Sequence, residues 1–129
     1  MDKKILKYLG VDWGEKRIGL SLGDSETKMA TPFKVVNSVS DILSLIKKEE
    51  IDRIIVGLPV KMSGAADETS DVFNKFIKYL RDRAGIPLEF MDERLTSKAA
   101  DALPGTKKTK AARDSIAAML ILQAYLDKI

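Results

Sequence analysis

The stretch ILKYLGVDWGEKRIGLSL, residues 5–22, decides the architecture. Over residues 4–13, Ile5, Leu6, Leu9 and Val11 supply the apolar content of a strand, and Asp12 stands near its carboxyl end. Gly14 to Lys16 make a turn. From Arg17 the chain alternates, with Ile18, Leu20 and Leu22 on one face, and a period of two marks a second strand. A third strand is predicted around residues 33–36, after Pro32. Connections this short join the three as an antiparallel meander.

Beyond residue 36 the pattern changes. Ser40 or Asp41 can cap a helix running to about Glu50, with Ile42, Leu45 and Ile46 at helical spacing. Residues 52–58, with Ile54, Ile55 and Val56, read as a short buried strand. Pro59 and Gly64 bracket a loop. Residues 67–83 read as a helix with the apolar stripe Val72, Phe73, Phe76, Ile77 and Leu80. Another strand is expected over 87–91 and a short helix over 96–103. Residues 104–110 form a basic loop, and a last helix covers 110–127. Its segment 116–122 is apolar on every side, which predicts burial against the sheet. Strands linked by helices imply right-handed parallel crossovers. The expected fold class is therefore α/β, a mixed five-stranded sheet of three antiparallel and two parallel strands, with helices on both faces. No internal repeat or boundary divides it, so a single domain over 1–129 is expected.

Composition narrows the chemistry. The 129 residues are 45% hydrophobic and 32% charged, the composition of a globular chain. Cysteine and histidine are both absent. Disulfides, thiol nucleophiles, Cys/His zinc sites and imidazole bases are thereby excluded. Catalysis is left to carboxylates, lysines, hydroxyls or a metal held by oxygen, and oxygen ligands favour Mg²⁺ or Mn²⁺. A net charge of +3 permits a nucleic-acid partner without demanding one. No signal peptide is legible, and the apolar runs fall far short of the roughly 20 residues that span a bilayer. The expectation is a cytoplasmic protein with no membrane partner.

Three acids stand out by position: Asp12 near the end of the first strand, Glu93 just after the strand ending near Met91, and Asp114 early in the last helix. In open α/β sheets, sites form beyond the carboxyl ends of the strands. Three carboxylates gathered there repel one another unless a cation shares them. Two divalent ions, roughly 3.5–4 Å apart, can serve phosphodiester hydrolysis without histidine. Each acid also has a plain structural reading. Asp12 can be a turn former, Glu93 can pair with a surface cation, and Asp114 can cap a helix starting at Ser115, although Thr109 offers an earlier cap.

Four blocks carry a resemblance. GVDWGEKRIGLSLGD (10–24), VGLPVKMSG (56–64), DERLTSKAA (92–100) and DSIAAMLILQAYLD (114–127) resemble, in order, the motifs of the bacterial family of Holliday junction resolvase-type proteins also described as pre-16S rRNA nucleases. That family is similar to the resolvases of the ribonuclease H-like superfamily. The resemblance implies the ribonuclease H-like fold, dependence on a divalent metal and hydrolysis of phosphodiester bonds in nucleic acid. It places the catalytic and metal-holding roles on Asp12, Glu93 and Asp114, with Asp92 as a helper. The segment between Ala100 and Asp114 is shorter than the resemblance leads one to expect, which bears on substrate geometry and not on metal chemistry.

Lys107, Lys108, Lys110 and Arg113 precede Asp114, Lys16 and Arg17 follow Asp12, and Arg94 adjoins Glu93. At a site rim these cations would neutralise phosphates flanking the cut; a solvated charge run is the alternative for Lys107 and Lys108. Trp13 is expected in the core or the site wall, with base stacking as the other option. Gly57 to Gly64 either let a backbone approach substrate closely or simply connect strand to helix. The resemblance favours processing of the 5′ end of pre-16S rRNA. The alternative in the same chemistry is Holliday junction resolution, which calls for a homodimer because two strands are cut symmetrically. A more distant reading takes Asp12-Trp13-Gly14 and Gly19 as similar to the phosphate loop of actin-like ATPases, whose second domain a chain of this length lacks. A catalytically silent scaffold is opposed by the presence of all three acids.

Overall fold

The computed structural model describes residues 5–14, 16–58, 68–92 and 110–129. Alternation builds the first hairpin. β1 (Lys7–Asp12) pairs antiparallel with β2 (Ile18–Asp24), running from Lys7 opposite Asp24 to Asp12 opposite Gly19. β2 pairs antiparallel with β3 (Thr31–Val36). The β2–β3 register shifts between Leu20 and Ser21, which face Lys34 and Pro32. This shift explains why β3 begins two residues before the predicted start and takes in Pro32. β3 is the edge of the sheet, where a residue without an N–H is tolerated, and a bulge absorbs the misfit.

The chain then crosses over. α1 (Val39–Lys48) is capped by the Ser38 side chain, whose Oγ accepts from the Asp41 amide at 3.3 Å. The predicted cap at Ser40 or Asp41 is thus corrected by two or three residues, to Ser38. All three are competent polar caps, but Ser38 is the one with extended backbone, as a cap requires. The helix ends in a Schellman arrangement: the Ile51 amide donates to Ile46 at 3.0 Å and the Glu50 amide to Lys47 at 3.3 Å. Glu50 takes the left-handed conformation, φ 54°, that glycine usually fills.

β4 (Arg53–Leu58) lies parallel to β1, and β5 (Leu88–Asp92) parallel to β4, with α2 (Glu68–Ala84) between them in the chain. α3 (Lys110–Leu126) closes the described fold. The strand order is β3-β2-β1-β4-β5, the expected mixed sheet of five strands. The helix predicted over 96–103 lies outside the described residues.

Period-two alternation sorts the side chains between two cores. Leu9, Val11, Ile18, Leu20, Ile54 and Val56 face α1 and α2, where Ile42, Leu45, Phe73, Phe76 and Leu80 complete one cluster. Tyr8, Ile55 and Met91 face the other way and meet Ile121, Leu122, Tyr125 and Leu126 of α3. Helices therefore cover both faces, as the sequence predicted. The apolar segment 116–122 of α3 is buried at Ala118, Ile121 and Leu122 and only half-buried at Ile116, Met119 and Leu120. A single sheet can cover one side of a helix, not its full circumference. Among the described residues, no helix is long and apolar enough to cross a membrane.

Candidate active site

The carboxyl ends of the three parallel strands lie along one edge of the sheet, with Asp12 ending β1, Leu58 ending β4 and Asp92 ending β5. Asp12 continues the alternation of Tyr8 and Gly10, so it belongs to the α3 face of the sheet. Directly opposite it on β2 stands Gly19. Residues directly opposite in an antiparallel pair share a face, so Gly19 also meets α3.

That glycine positions the site. A Cβ at Gly19 would overlap the backbone carbonyl of Asp114. The second turn of α3 therefore rests directly on β2, one cross-strand neighbour from Asp12. The same close seating continues along the helix. A Cβ at Gly10 would come within 2.9 Å of both the Ala118 carbonyl oxygen and Leu122 Cβ. The buried Ser21 hydroxyl donates to the Ala118 carbonyl at 2.7 Å. At Gly23 a Cβ would meet Leu126 Cδ1 at 3.0 Å. Asp114, Ala118, Leu122 and Leu126 recur every four residues, forming one ridge of the helix, and the small residues of β1 and β2 form the groove that receives it.

The far end of α3 is pinned by polar contacts. Tyr125 donates to Glu89 Oε2 at 2.8 Å, and Arg53 Nη1 donates to the same oxygen at 3.0 Å and to the Tyr125 hydroxyl at 3.3 Å. Burial pushes the Tyr125 hydroxyl above its ordinary pKa, and the hydrogen bond to Tyr125 is the largest influence raising that of Arg53. Gln123 accepts from the Ala30 amide at 2.9 Å and donates to the Lys28 carbonyl at 2.9 Å. These contacts tie the carboxyl-terminal end of α3 to β4, β5 and the β2–β3 connection.

Asp12 and Asp114 are both half-buried, and the backbone of Asp114 rests on Gly19, the cross-strand partner of Asp12. Asp114 Oδ2 receives Arg17 Nε at 3.3 Å, and Arg17 itself is largely exposed in the turn before β2. Lys16 is exposed beside it. Lys110 and Arg113 belong to the first turn of α3, and Asp92 is the last residue of β5, in register with Leu58. Glu93, Arg94, Lys107 and Lys108 lie outside the described residues. So do Pro59 to Gly64, leaving the glycine-bracketed loop to the sequence alone. Trp13 stacks edge-on against Phe73 at 5.4 Å and lies 6.1 Å from Phe76, so it packs against the core on the α2 face of the sheet, the face opposite Asp12.

Among the described residues, no three acids, histidines or cysteines gather as a metal site, so the described part of the candidate site is the pair Asp12 and Asp114. Carboxylate oxygens are hard ligands suited to Mg²⁺ or Mn²⁺, and the pair fits that chemistry. The residues that sequence reasoning missed are the supports: Gly19, Gly10 and Ser21 under α3, and Tyr125 and Gln123 at its far end. The alternating small residues Gly19, Ser21 and Gly23 were the available signal.

The family model described as RuvX, Holliday junction resolvase, matches residues 6–128. The chain belongs to that family. Curated relatives agree. A "Putative pre-16S rRNA nuclease" of Chloroflexus aurantiacus is 36% identical over 130 residues, covering 92% of this chain and 85% of the relative. One of the same name from Rickettsia africae is 33% identical, covering 94% and 86%. RuvX is thus a family of nucleases, hydrolases acting on ester bonds, as the sequence blocks implied. Among solved structures, Thermus thermophilus RuvC in complex with Holliday junction substrate superposes with a TM-score of 0.64 at 14% identity, covering 93% of this chain and 95% of that one. A second Thermus thermophilus RuvC structure gives 0.60 at 13% identity. The ribonuclease H-like fold expected for this RuvX chain is the fold it has.

Proposed function

We propose that this chain is a divalent-metal-dependent nuclease, a single domain over 1–129, that processes the 5′ end of pre-16S rRNA in the cytoplasm. The observation that carries the proposal is the seating of Asp114 on Gly19, directly beside Asp12, at the carboxyl end of the central strand. Carboxylate oxygens are hard ligands, and a divalent cation held between two of them would balance both charges. Asp12 and Asp114 would hold Mg²⁺ or Mn²⁺, with Glu93 completing the set and Asp92 assisting. A bound divalent ion supplies Lewis acidity and charge neutralisation to the phosphodiester. The protein's own part is to orient the two carboxylates on rigid elements and to receive flanking phosphates. Lys16, Arg17, Arg94, Lys107, Lys108, Lys110 and Arg113 are the cations proposed for that last role. The choice of pre-16S rRNA is supported by the name the curated relatives carry.

The family description supports a second reading, resolution of Holliday junctions by a homodimer. One assay separates them. Purified protein is offered a precursor small-subunit rRNA fragment and a four-way DNA junction, in Mg²⁺ and in Mn²⁺, beside Asp12→Asn. RNA cleavage that the variant loses is the expected result. Paired nicks in the junction would choose resolution. Cleavage of either substrate that Asp12→Asn leaves unchanged would overturn the site.

A further inference from the structure

Arg17 and Asp114 are distant in sequence, yet Arg17 Nε lies 3.3 Å from Asp114 Oδ2. Both backbones are fixed by the same close approach, since Gly19, two residues after Arg17, carries the Asp114 carbonyl. The pair therefore follows from the construction of the site and is not a chance meeting of two long side chains. It is also weak. The Arg17 side chain is 42% exposed and that of Asp114 29%, and ion pairs open to solvent hold little energy.

Without a divalent cation, Arg17 supplies a positive charge beside Asp114. A cation shared with Asp12 would offer twice the charge to two carboxylates and would displace the guanidinium. The displaced group stays tethered at the start of β2, beside the site. A guanidinium is a planar fork of donors that matches a phosphate in bidentate fashion. We propose that Arg17 is an exchanging positioning residue: it holds Asp114 while the site lacks a cation, and it clamps a substrate phosphate once the cation has taken that carboxylate. This inference rests on the metal-nuclease reading above. It couples the two ligands, because a cation that frees Arg17 strengthens nucleic-acid binding, and linkage makes the effect reciprocal.

The test uses the full chain as wild type, Arg17→Gln, Arg17→Lys and Asp114→Asn. Mn²⁺ affinity is read from the electron paramagnetic resonance of free Mn²⁺. Affinity for a labelled precursor rRNA fragment is read by fluorescence anisotropy, in Ca²⁺ and in EDTA. Arg17→Gln should bind Mn²⁺ roughly two- to five-fold more tightly at low salt, since an exposed competing ion pair is removed, and the gain should shrink as salt screens the pair. Arg17→Lys should keep the wild-type Mn²⁺ affinity but bind the RNA more weakly in Ca²⁺, because an ammonium cannot bridge two phosphate oxygens. Wild-type RNA should bind more tightly in Ca²⁺ than in EDTA, and Arg17→Gln should lose most of that difference. Unchanged or weaker Mn²⁺ binding by Arg17→Gln overturns the exchange, and an Arg17→Lys equal to wild type in both measurements overturns the clamp. Asp114→Asn keeps the two levels apart. If it leaves Mn²⁺ affinity intact, the metal site fails and the inference fails with it. If it weakens Mn²⁺ while Arg17→Gln changes nothing, only the role of Arg17 is lost.

Discussion

Gly19→Ala tests the geometry on which the site depends. The new Cβ would stand 2.5 Å from the carbonyl carbon of Asp114, against an ordinary contact of 3.4 Å or more. The obstacle is helix backbone, so it cannot turn aside as a flexible side chain could. The amino-terminal part of α3 has to retreat by about 1 Å, and a misplacement of that size at a reacting centre costs on the order of a hundred-fold in rate. Overpacking of this kind also costs about 1–3 kcal/mol of stability. For a chain of this length that lowers Tm by about 3–5 °C per kcal/mol. Lost stability alone must not be mistaken for lost positioning, and Gly85→Ala supplies the control. Gly85 has φ 70° and nothing within 4 Å of its missing Cβ, so alanine there is strained without a clash, at about 1–2 kcal/mol. The two variants should have comparable melting temperatures, measured by circular dichroism. Initial cleavage rates, taken well below either Tm, should fall about a hundred-fold in Gly19→Ala and stay near wild type in Gly85→Ala. A Gly19→Ala protein that is destabilised but cuts at the wild-type rate would refute the claim that this glycine sets the place of Asp114.

Ser21→Ala removes the buried hydrogen bond to the Ala118 carbonyl and should cost about 1–2 kcal/mol in urea titration, with far less effect on cleavage than Gly19→Ala because it introduces no clash. Asp24 accepts from the Thr27 amide at 2.8 Å, the Glu26 amide at 3.0 Å and the Thr27 hydroxyl at 3.1 Å, and the Thr27 amide leads in holding its carboxyl below the ordinary value of 3.8. A carboxylate whose pKa is lower when folded than when unfolded stabilises the fold above its unfolded pKa. That contribution is lost as pH falls through the lowered folded value. Urea midpoints should therefore drop below about pH 4 in the wild type and drop less steeply in Asp24→Asn. Equal slopes would remove Asp24 from the acid response.

Local patterns in the sequence were enough to establish the order of the described strands and helices, because alternation and helical spacing depend only on neighbours along the chain. Ile18, Leu20 and Leu22 announced β2, and the stripe from Phe73 to Leu80 announced α2. Short connections then made the first hairpins antiparallel, and helix-linked strands made β4 and β5 parallel to β1. Asp12 was legible as a candidate site residue because it ends an apolar strand at the edge where such sheets place their ligands. The total absence of histidine and cysteine directed the chemistry to oxygen ligands before any fold was drawn.

The tertiary structure decided what depends on residues far apart in the chain. Several polar residues can each cap α1, and only the backbone conformation at Ser38 shows which one does. Pro32 reads as a strand breaker until the bulge and the edge position of β3 are known. Nothing near Gly19 in the sequence says that a helix beginning at Lys110 will rest on it, nor that Arg17 will meet Asp114. Periodicity identifies the face a residue occupies. The helix that meets that face, and how closely, is fixed by packing across the whole sheet, where the small residues at Gly10, Gly19, Ser21 and Gly23 let the backbone of α3 come close enough to set Asp114 beside Asp12.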